Sequence, residues 1–365
     1  MKRVSLVQIG FGTVGGALVE QVLDNQDRWR ETQQLDIQIV AVAGREGAWT
    51  ADPGDALPAN RLREVVERRR SGLQSTLPSG SIQDALQRHF GRGPLIVLDA
   101  SSGDQVASLE ATALDQGAGM VLSNKAPMAL PMRDPRTSRL WSETSATGRL
   151  MYEATCGAGL PVISTLRSLL DAGDEILEIT GTVSGTFGAI FSAVASGTPY
   201  SQAVRDARAN GYTEPDPRDD LSGLDVARKG LILARTMGQD IDLEDIRIES
   251  LVPEALANGS ADEFLAGLEG EDASIRERAD AAANDNASLK YLVGWTPADG
   301  VTVGLRNVPQ STVLGALQGP ENAVSFRTRR YNEYPCVISG PGAGAAVTAA
   351  GMVSDMLTLA RRLAD

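Results

Sequence analysis

The sequence predicts an α/β protein with two domains, of which the first is a doubly wound parallel sheet and the second is α+β. Three observations predict this class. The chain opens with an apolar run that breaks into glycines and resumes with helical spacing. Later apolar runs within the first 150 residues are nearly continuous, and alternating runs follow from about residue 151. Continuous apolar runs are typical of parallel strands that helices cover on both faces.

The first domain is predicted over residues 1–151, together with about 338–365. "RVSLVQIG" predicts its first strand, and the spacing of Val14, Leu18 and Val22 predicts the helix after it. The other strands of this sheet are predicted at 37–44 ("IQIVAVAG"), 94–102 ("PLIVLDASS") and 119–129 ("GMVLSNKAPMA").

The second domain is predicted over residues 152–337. "DGVTVGLRNVP" and "NAVSFRTRRYNEYPCVISGPGAG" predict antiparallel strands, and "EILEITGTVSGTFGAIFSAVASG" predicts strand mixed with helix. The acidic, alanine-rich stretch 257–287 predicts an exposed helix pair. The last segment, "GAGAAVTAAGMVSDMLTLARRLAD", predicts an amphipathic helix that returns to the first domain.

Composition is typical of a globular protein with enough apolar residues for two domains. The chain has 365 residues, 42% of them hydrophobic, and its formal net charge of −13 argues against a nucleic acid or an anionic membrane as partner. No apolar run reaches the roughly 18 residues that a membrane span needs, and the N-terminus lacks the features of a signal peptide. We therefore expect a cytoplasmic protein.

Cysteine and histidine are too few to support a disulfide framework or a zinc site. Cys156 and Cys336 are far apart and lie outside any CxxC or Cys/His pattern. His89 is the single histidine, and its polar surroundings in "ALQRHFGRG" favour a solvated surface position. Acid and base chemistry is therefore expected from Lys, Asp or Glu.

A glycine motif at the first strand–helix turn indicates a dinucleotide site. Gly10, Gly12 and Gly15 form GxGxxG in "GFGTVG". In a Rossmann-type fold the first glycine permits the tight turn, the second lets the backbone approach the pyrophosphate, and the third lets helix and strand pack closely. A plain tight turn is the alternative. We expect the cofactor to contact Gly10, Phe11, Gly12, Thr13, Val14 and Gly15.

The end of the second strand bears on the choice of cofactor. Where a ribose-binding carboxylate would favour NAD, the chain reads "VAGREGA", and Arg45 offers a planar cation for a phosphate, which favours NADP. The neighbouring Glu46 weakens this inference, and a surface arginine is the alternative. The basic run "RLREVVERRRSG" at 61–72 is interpreted as a solvated helical face, although it could extend a phosphate pocket.

Several longer motifs occur in one order along nearly the whole chain: "GFGTVGG", "SNKAP", "YEATCGAGLPVISTLRSL", "GTVSGTFGAIFSAV", "GYTEPDPRDDLSGLDVARKGLILAR" and "GPGAGAAVTAAGMVSDML". Together they resemble homoserine dehydrogenases. The third and fifth are long and unusual, so they are far more specific than the glycine motif. The resemblance implies a monofunctional member without an aspartokinase or an appended regulatory domain.

The resemblance implies reversible NAD(P)H-dependent reduction of L-aspartate 4-semialdehyde to L-homoserine, in the biosynthesis of threonine, methionine and isoleucine, by a homodimer. It implies that Lys229 is the proton donor, that Glu214 and Asp225 hold the substrate's amino group, and that Lys125 lies between cofactor and substrate. Ser101 and Gly340 are expected to contact the cofactor. A monovalent, sodium-like cation is expected on main-chain oxygens of the loop with Glu153, Cys156, Ala158 and Leu160.

The residues themselves suit this chemistry. Hydride delivery to an aldehyde builds negative charge on oxygen, which a nearby cation that can release a proton would neutralise. Lysine can do so, whereas arginine does not deprotonate usefully. Asp225 and Lys229 lie four residues apart and share a helix face, although by spacing alone they could be an exposed ion pair. Lys125 follows a strand at the edge where parallel sheets bind ligands, and it could take the substrate carboxylate.

Alternatives remain at the other positions. Glu153 could simply bond neighbouring amides, and Asp219 and Asp220 are interpreted as loop, capping or supporting groups. Cys156 stands where the family pattern suggests valine, and a buried thiol is favoured over an oxidation-sensitive one. Two other functions are weighed for the whole chain. A phosphorylating semialdehyde dehydrogenase would need a cysteine with a histidine base, and a non-catalytic cofactor-binding protein would not need the lysines and carboxylates.

Overall fold

The computed structural model describes residues 1–73, 77–78, 80–145 and 148–363. The chain divides into two compact units, Met1–Gly159 with Ala343–Asp365, and Leu160–Gly342. Nucleotide binding by the first unit and substrate binding by the second are predictions from the sequence.

The strands are β1 (Lys2–Ile9), β2 (Leu35–Gly44), β3 (Gly47–Thr50), β4 (Leu95–Asp99), β5 (Gly119–Leu122), β6 (Leu150–Met151), β7 (Ile176–Thr182), β8 (Arg247–Ile248), β9 (Ala287–Thr296), β10 (Gly300–Pro309), β11 (Glu321–Thr328) and β12 (Cys336–Pro341).

The α-helices are α1 (Thr13–Gln33), α2 (Ala59–Arg70), α3 (Ile82–His89), α4 (Ala107–Asp115), α5 (Pro135–Ser142), α6 (Val162–Asp171), α7 (Gly185–Ala195), α8 (Tyr200–Ala209), α9 (Pro217–Leu221), α10 (Leu224–Thr236), α11 (Ala261–Gly267), α12 (Asp272–Asn284), α13 (Val313–Ala316) and α14 (Ala345–Leu363). Short 3₁₀ turns lie at Pro127–Ala129, Glu153–Thr155, Leu243–Asp245, Glu254–Leu256 and Leu268–Glu271.

The first unit is built on a sheet with the strand order β3-β2-β1-β4-β5-β6. β2, β1, β4, β5 and β6 pair in parallel, and β3 folds back antiparallel onto β2. The predicted doubly wound parallel sheet is confirmed. The sequence does not indicate β3, because four residues are too few to show an alternating pattern.

The C-terminal helix completes the core of the first unit. α14 packs along α1, and buried side chains of both helices, among them Leu18, Val22, Met352 and Met356, join one hydrophobic cluster with the sheet. The predicted return of the last helix to the first domain is confirmed. Apolar burial of this kind contributes roughly 25 cal/mol per Å² of buried area.

The second unit is built on a mainly antiparallel sheet with the order β12-β11-β7-β9-β10-β8, in which only the short β8 pairs in parallel, with β10, among the residues described. α7, α10 and α12 pack against β9. Tyr291 of β9 stacks on Phe187 of α7, and Gly230 of α10 lies against Val293. Residues of β9 that alternate with these, such as Leu292 and Gly294, point to the other face of the sheet, where they line a cavity of about 720 Å³.

The prediction that His89 is a surface residue is wrong. It is buried in the last turn of α3, and its Nε2 lies 3.1 Å from Thr50 Oγ1. The helix turns Ala85, Leu86 and His89 to one inner face. Burial, followed by the charges of Arg92 and Arg88, lowers the pKa of His89. The polar residues next to His89 in the sequence point outward, so their composition does not indicate that His89 is buried.

Within the part of the chain that is described, none of the helices has both the length and the apolarity that crossing a membrane requires.

Candidate functional site

In the turn after β1, positions 10 and 15 have room for glycine only. Gly10 has φ +84°, and a Cβ there would overlap the backbone of Ala100 and Ser101. A Cβ on Gly15 would overlap the carbonyl of Gly10. The turn therefore lies directly against the residues that follow β4, at the carboxyl edge of the parallel sheet.

Gly12 differs from its neighbours because a Cβ there would meet nothing within 4 Å. It is exposed and is the N-cap of α1, without a side-chain cap and without an acidic residue in the first turn. The start of a 21-residue helix thus faces open space with its backbone N–H groups and the positive end of its dipole. This cradle fits the pyrophosphate of a dinucleotide.

Gln8 holds this turn from inside the sheet, and the sequence analysis misses it. Its buried side-chain Nε2 donates to the carbonyls of Gly10, at 3.1 Å, and Gly15, at 2.9 Å. A glutamine in an otherwise apolar strand next to the glycines is the signal that could have found it. A buried amide that bonds both ends of the turn fixes its shape.

Arg69 approaches the same turn from the end of α2. Its Nη1 donates to the carbonyl of Phe11 at 2.5 Å, its guanidinium lies 5.2 Å from the centroid of the Phe11 ring, and its Nη2 pairs with Glu46 at 3.3 Å. The interpretation of residues 61–72 as a solvated face is therefore wrong for Arg69. Arg45 is exposed at the end of β2. Two arginines and one carboxylate thus lie near the end of β2.

Ser101 and Lys125 follow β4 and β5 at the carboxyl edge of the sheet. The backbone N–H of Ser101 donates to Asp99 Oδ1 at 2.8 Å. Asn124, next to Lys125, donates to Asp99 Oδ2 at 3.0 Å, so one buried carboxylate holds both loops. Lys125 precedes the 3₁₀ turn Pro127–Ala129, and its carbonyl accepts from Ala129 N. These loops and the glycine turn share one sheet edge.

The loop after β6 has an unusual backbone. Gly157 and Ala158 have φ +86° and +55°, and left-handed conformation costs alanine about 1 kcal/mol. The backbone N–H of Glu153 donates to Asp355 of α14 at 2.8 Å. Cys156 is buried, as the structural-thiol interpretation expects. No group of three or more His, Cys, Asp or Glu side chains in the described residues could hold a metal, so a cation here would need main-chain oxygens.

Lys229 and Asp225 form a partly buried pair on α10, in the second unit. Lys229 is 9% exposed, and its Nζ lies 2.8 Å from Asp225 Oδ2 and donates to the carbonyl of Val183 at 2.5 Å. The exposed-ion-pair interpretation is wrong for the lysine, because this side chain is held between an acid and the end of β7. Gly223, with φ +76°, is the N-cap of the helix, where a Cβ would overlap the hydroxyl of Tyr291.

Glu214 lies on the loop before α9, which Asp220 anchors. Asp220 accepts from the backbone N–H of Glu214 at 2.8 Å and from Thr186 Oγ1 at 2.9 Å. Burial, despite these bonds, raises the pKa of Asp220, and the charge of Asp225 adds to the rise. The charge of Asp225 therefore acts on the residue that anchors the Glu214 loop. Glu214 itself is exposed.

Gly340 and Leu160 are the two remaining predicted site residues. Gly340 is on β12, paired with Asn322 of β11, and a Cβ on it would lie 3.0 Å from Leu160 Cδ2. The carbonyl of Leu160 accepts from Val162 N at 2.8 Å. The other predicted residues divide between the units: 10–15, 45, 101, 125, 153, 156 and 158 belong to the first, and 214, 225 and 229 to the second.

Comparison with known proteins gives two family matches. The model described as "Homoserine dehydrogenase" matches residues 161–357, and the one described as "Homoserine dehydrogenase, NAD binding domain" matches residues 10–153. Together they cover both units.

The chain is 34% identical to a homoserine dehydrogenase of Saccharomyces cerevisiae over 99% of each chain. It is 38% identical to a bifunctional aspartokinase/homoserine dehydrogenase of Daucus carota over 97% of this chain, but it spans only 38% of that relative's length. Among solved structures it is similar to a Candida auris protein of unknown function, with a TM-score of 0.86, 29% identity and coverage of 100% and 99% of the two chains.

Proposed function

Because the chain belongs to the homoserine dehydrogenase family, we propose that it is an oxidoreductase that interconverts L-aspartate 4-semialdehyde and L-homoserine with a nicotinamide cofactor. One observation is the main support for proton transfer by Lys229. The side chain of Lys229 is removed from water and held by Asp225 and the Val183 carbonyl, at the helix of the most specific sequence motif.

Lys229 is the proposed proton donor. A bound nicotinamide would supply the hydride that reduces the aldehyde carbon. The carbonyl oxygen then gains negative charge, and the ammonium of Lys229 stabilises it and releases a proton to it. Asp225 orients the ammonium from one helical turn away, and the Val183 carbonyl fixes it from the other side. In the reverse direction, the neutral amine takes the proton from the alcohol.

Asp225 and Glu214 are the proposed ligands of the substrate's ammonium group. The Asp225 side chain remains 47% exposed although one oxygen bonds Lys229, and Glu214 is exposed on a loop that Asp220 anchors. Two carboxylates of this kind can each accept a hydrogen bond from an ammonium. Asp220 would serve by holding the loop, because its oxygens are occupied by Glu214 N and Thr186.

NADP(H) is the proposed preferred cofactor. Residues 10–15 would hold the pyrophosphate, which the open space at Gly12 supports. Arg45 and Arg69 would hold the 2′-phosphate near the end of β2, where guanidinium groups suit a phosphate. Glu46 now occupies Arg69 Nη2, so phosphate binding would displace it. Ser101, Lys125 and Gly340 are the other proposed contacts.

A monovalent cation is proposed at the loop with Glu153, Cys156 and Ala158, and Leu160 is the fourth proposed ligand. The left-handed φ of Ala158 supports it, because strained backbone persists only where its surroundings enforce it. A Cβ on Gly351 of α14 would lie 3.0 Å from the Ala158 carbonyl, so packing holds this segment closely. Main-chain oxygens suit a hard cation.

A homodimer through the second unit is also proposed. Helices cover one face of its sheet, and the other face carries a cavity of about 720 Å³. Val313 and Tyr334 line that cavity and are 46% and 78% exposed. Val313 begins α13 and Tyr334 lies on the loop before β12, and exposed aromatic and aliphatic groups beside an open cavity are typical of protein interfaces.

Replacing Lys229 by Met should lower kcat at least about a hundredfold, because general acid catalysis contributes that much or more. Lys290→Met is the matched control. Lys290 is 7% exposed and likewise donates to a backbone carbonyl, that of Leu317. Oxidation of NADPH with aspartate 4-semialdehyde measures turnover, and NADPH fluorescence measures cofactor binding, which should persist in both variants. Wild-type turnover in Lys229→Met would contradict the proton-donor role.

Replacing Arg45 by Ala should raise the KM for NADPH about tenfold or more and leave the KM for NADH nearly unchanged, since only NADPH carries the 2′-phosphate. Arg69→Ala should raise the KM for NADPH more than the KM for NADH, although its bond to the Phe11 carbonyl also supports the turn that both cofactors would share. Arg63→Ala is the control, because Arg63 lies on the same helix and only pairs with Asp24 at the surface. Equal changes for both cofactors would disprove the phosphate assignment.

Replacing sodium or potassium by choline at constant ionic strength should lower the rate, and adding sodium back should restore it with saturation. Ala158→Val should need a higher cation concentration for half-maximal rate, because a β-branched side chain resists the left-handed φ. Ala158→Gly should keep the wild-type dependence of rate on cation concentration. Steady-state rates measure both. A rate that does not respond to cation identity would remove the proposed site.

Tyr334→Asp combined with Val313→Asp should weaken self-association more than about tenfold, because two charges would be buried at the interface. Sedimentation velocity over a concentration series measures the change. Leu73→Asp is the control, since Leu73 is 56% exposed in the first unit. A wild-type protein that sediments as a monomer at micromolar concentration would refute the dimer.

A further inference from the structure

A pair of buried carboxyl groups lies beneath the strand edge of the first unit. Asp99 ends β4, Glu110 lies in the first turn of α4, and both residues have 0% exposure. Among the residues that the structure describes, no N–H or O–H group donates to either carboxyl oxygen of Glu110. The mechanism above does not use Glu110, and a buried carboxylate without partners would be very costly.

Protonation of Glu110 removes this cost. Burial, followed by the charge of Asp99 and a hydrogen bond with it, raises the pKa of Glu110 well above its ordinary value. A protonated carboxyl has one O–H donor, and the Asp99 side chain, with which Glu110 shares a hydrogen bond, can accept it. The protonated oxygen of Glu110 therefore donates to Asp99, and the two side chains together carry one negative charge.

The carboxylate of Asp99 also accepts hydrogen bonds from the loops after β4 and β5. Its Oδ1 accepts from the backbone N–H of Ser101 at 2.8 Å, and its Oδ2 accepts from Asn124 Nδ2 at 3.0 Å. Asn124 also donates to the carbonyl of Gly103 at 2.7 Å and accepts from Ala126 N at 3.1 Å. This single carboxylate thus links the loop after β4 to the loop after β5.

We propose that Glu110 is a positioning residue that stays protonated in the folded protein, donates a hydrogen bond to Asp99, and so fixes the carboxylate that sets the Ser101 and Lys125 loops. The effect on the cofactor rests on the proposed function, because it assumes that Ser101 and Lys125 contact the nicotinamide nucleotide. The protonated pair itself does not depend on the proposed function.

The need for a donor explains why an acid occupies this buried position. A leucine would fill the space but would leave Asp99 with one donor fewer in a medium of low polarity, where hydrogen bonds to charged groups are strong. An ionised glutamate would place two like charges side by side. A neutral acid or an amide satisfies the site, because each presents a donor without a charge.

Infrared spectroscopy tests the proton directly. The wild-type protein at neutral pH should show a C=O stretching band of a protonated carboxyl that shifts in D₂O and is lost in Glu110→Gln. Asp115→Asn, an exposed acid at the end of the same helix, should keep the band. A spectrum without this band, or a band that survives in Glu110→Gln, would overturn the proposal.

Cofactor binding tests the positioning role. Glu110→Gln, whose amide can donate to Asp99, should bind NADPH within about twofold of wild type, whereas Glu110→Leu should bind it about tenfold more weakly. Fluorescence titration measures binding without turnover. Equal affinity for NADPH in the Gln and Leu variants would overturn the positioning role. If Glu110→Leu does not fold, a tenfold loss of NADPH affinity in Glu110→Gln would overturn it.

The two proposals can fail separately. If the infrared band behaves as expected in a protein without dehydrogenase activity, the proposed function is refuted and the protonated pair is retained.

Discussion

The backbone of the β1 turn lies directly against the backbone that follows β4, and the first unit depends on this contact. Gly10 makes it possible, because any side chain there would overlap Ala100 and Ser101. The contact brings the start of α1 to the same sheet edge as the loops after β4 and β5. Gln8 fixes the turn from below and Asp99 fixes the two loops. The dinucleotide cradle is thus a consequence of close backbone packing.

Buried polar groups near the predicted site residues share one arrangement, in which a single group bonds two loops or elements. Asp99 joins the loops after two strands, Asp220 joins the Glu214 loop to Thr186, and Asp355 ties α14 to the Glu153 turn. Lys229 is held between its own helix and β7. Since burying a polar group without partners is costly, each such group constrains the backbone around it. Site residues supported in this way are positioned before any ligand binds.

The sequence predicts the features that depend on short-range patterns. Continuous apolar runs predict the parallel strands, helical spacing predicts α1 and α14, and the glycine motif predicts the turn. It fails for His89 and Arg69, because the environment of each depends on residues distant in the chain: Thr50 for the first, and Phe11 and Glu46 for the second. A list of neighbours in sequence cannot show which side of a helix the rest of the fold covers.

By itself, the sequence determined the order of the elements, the resemblance to a family and the identity of the residues on which its chemistry would depend. Spacing established that Asp225 and Lys229 share a helix face, but only the tertiary structure decided that Lys229 is buried against the Val183 carbonyl. Likewise, the sequence places Asp99, Asp104 and Asp115 near Glu110, and only folding decides that Asp99 is the carboxyl group that it contacts. The reason is that burial and pairing, which decide the protonation of such groups, are properties of contacts between distant segments.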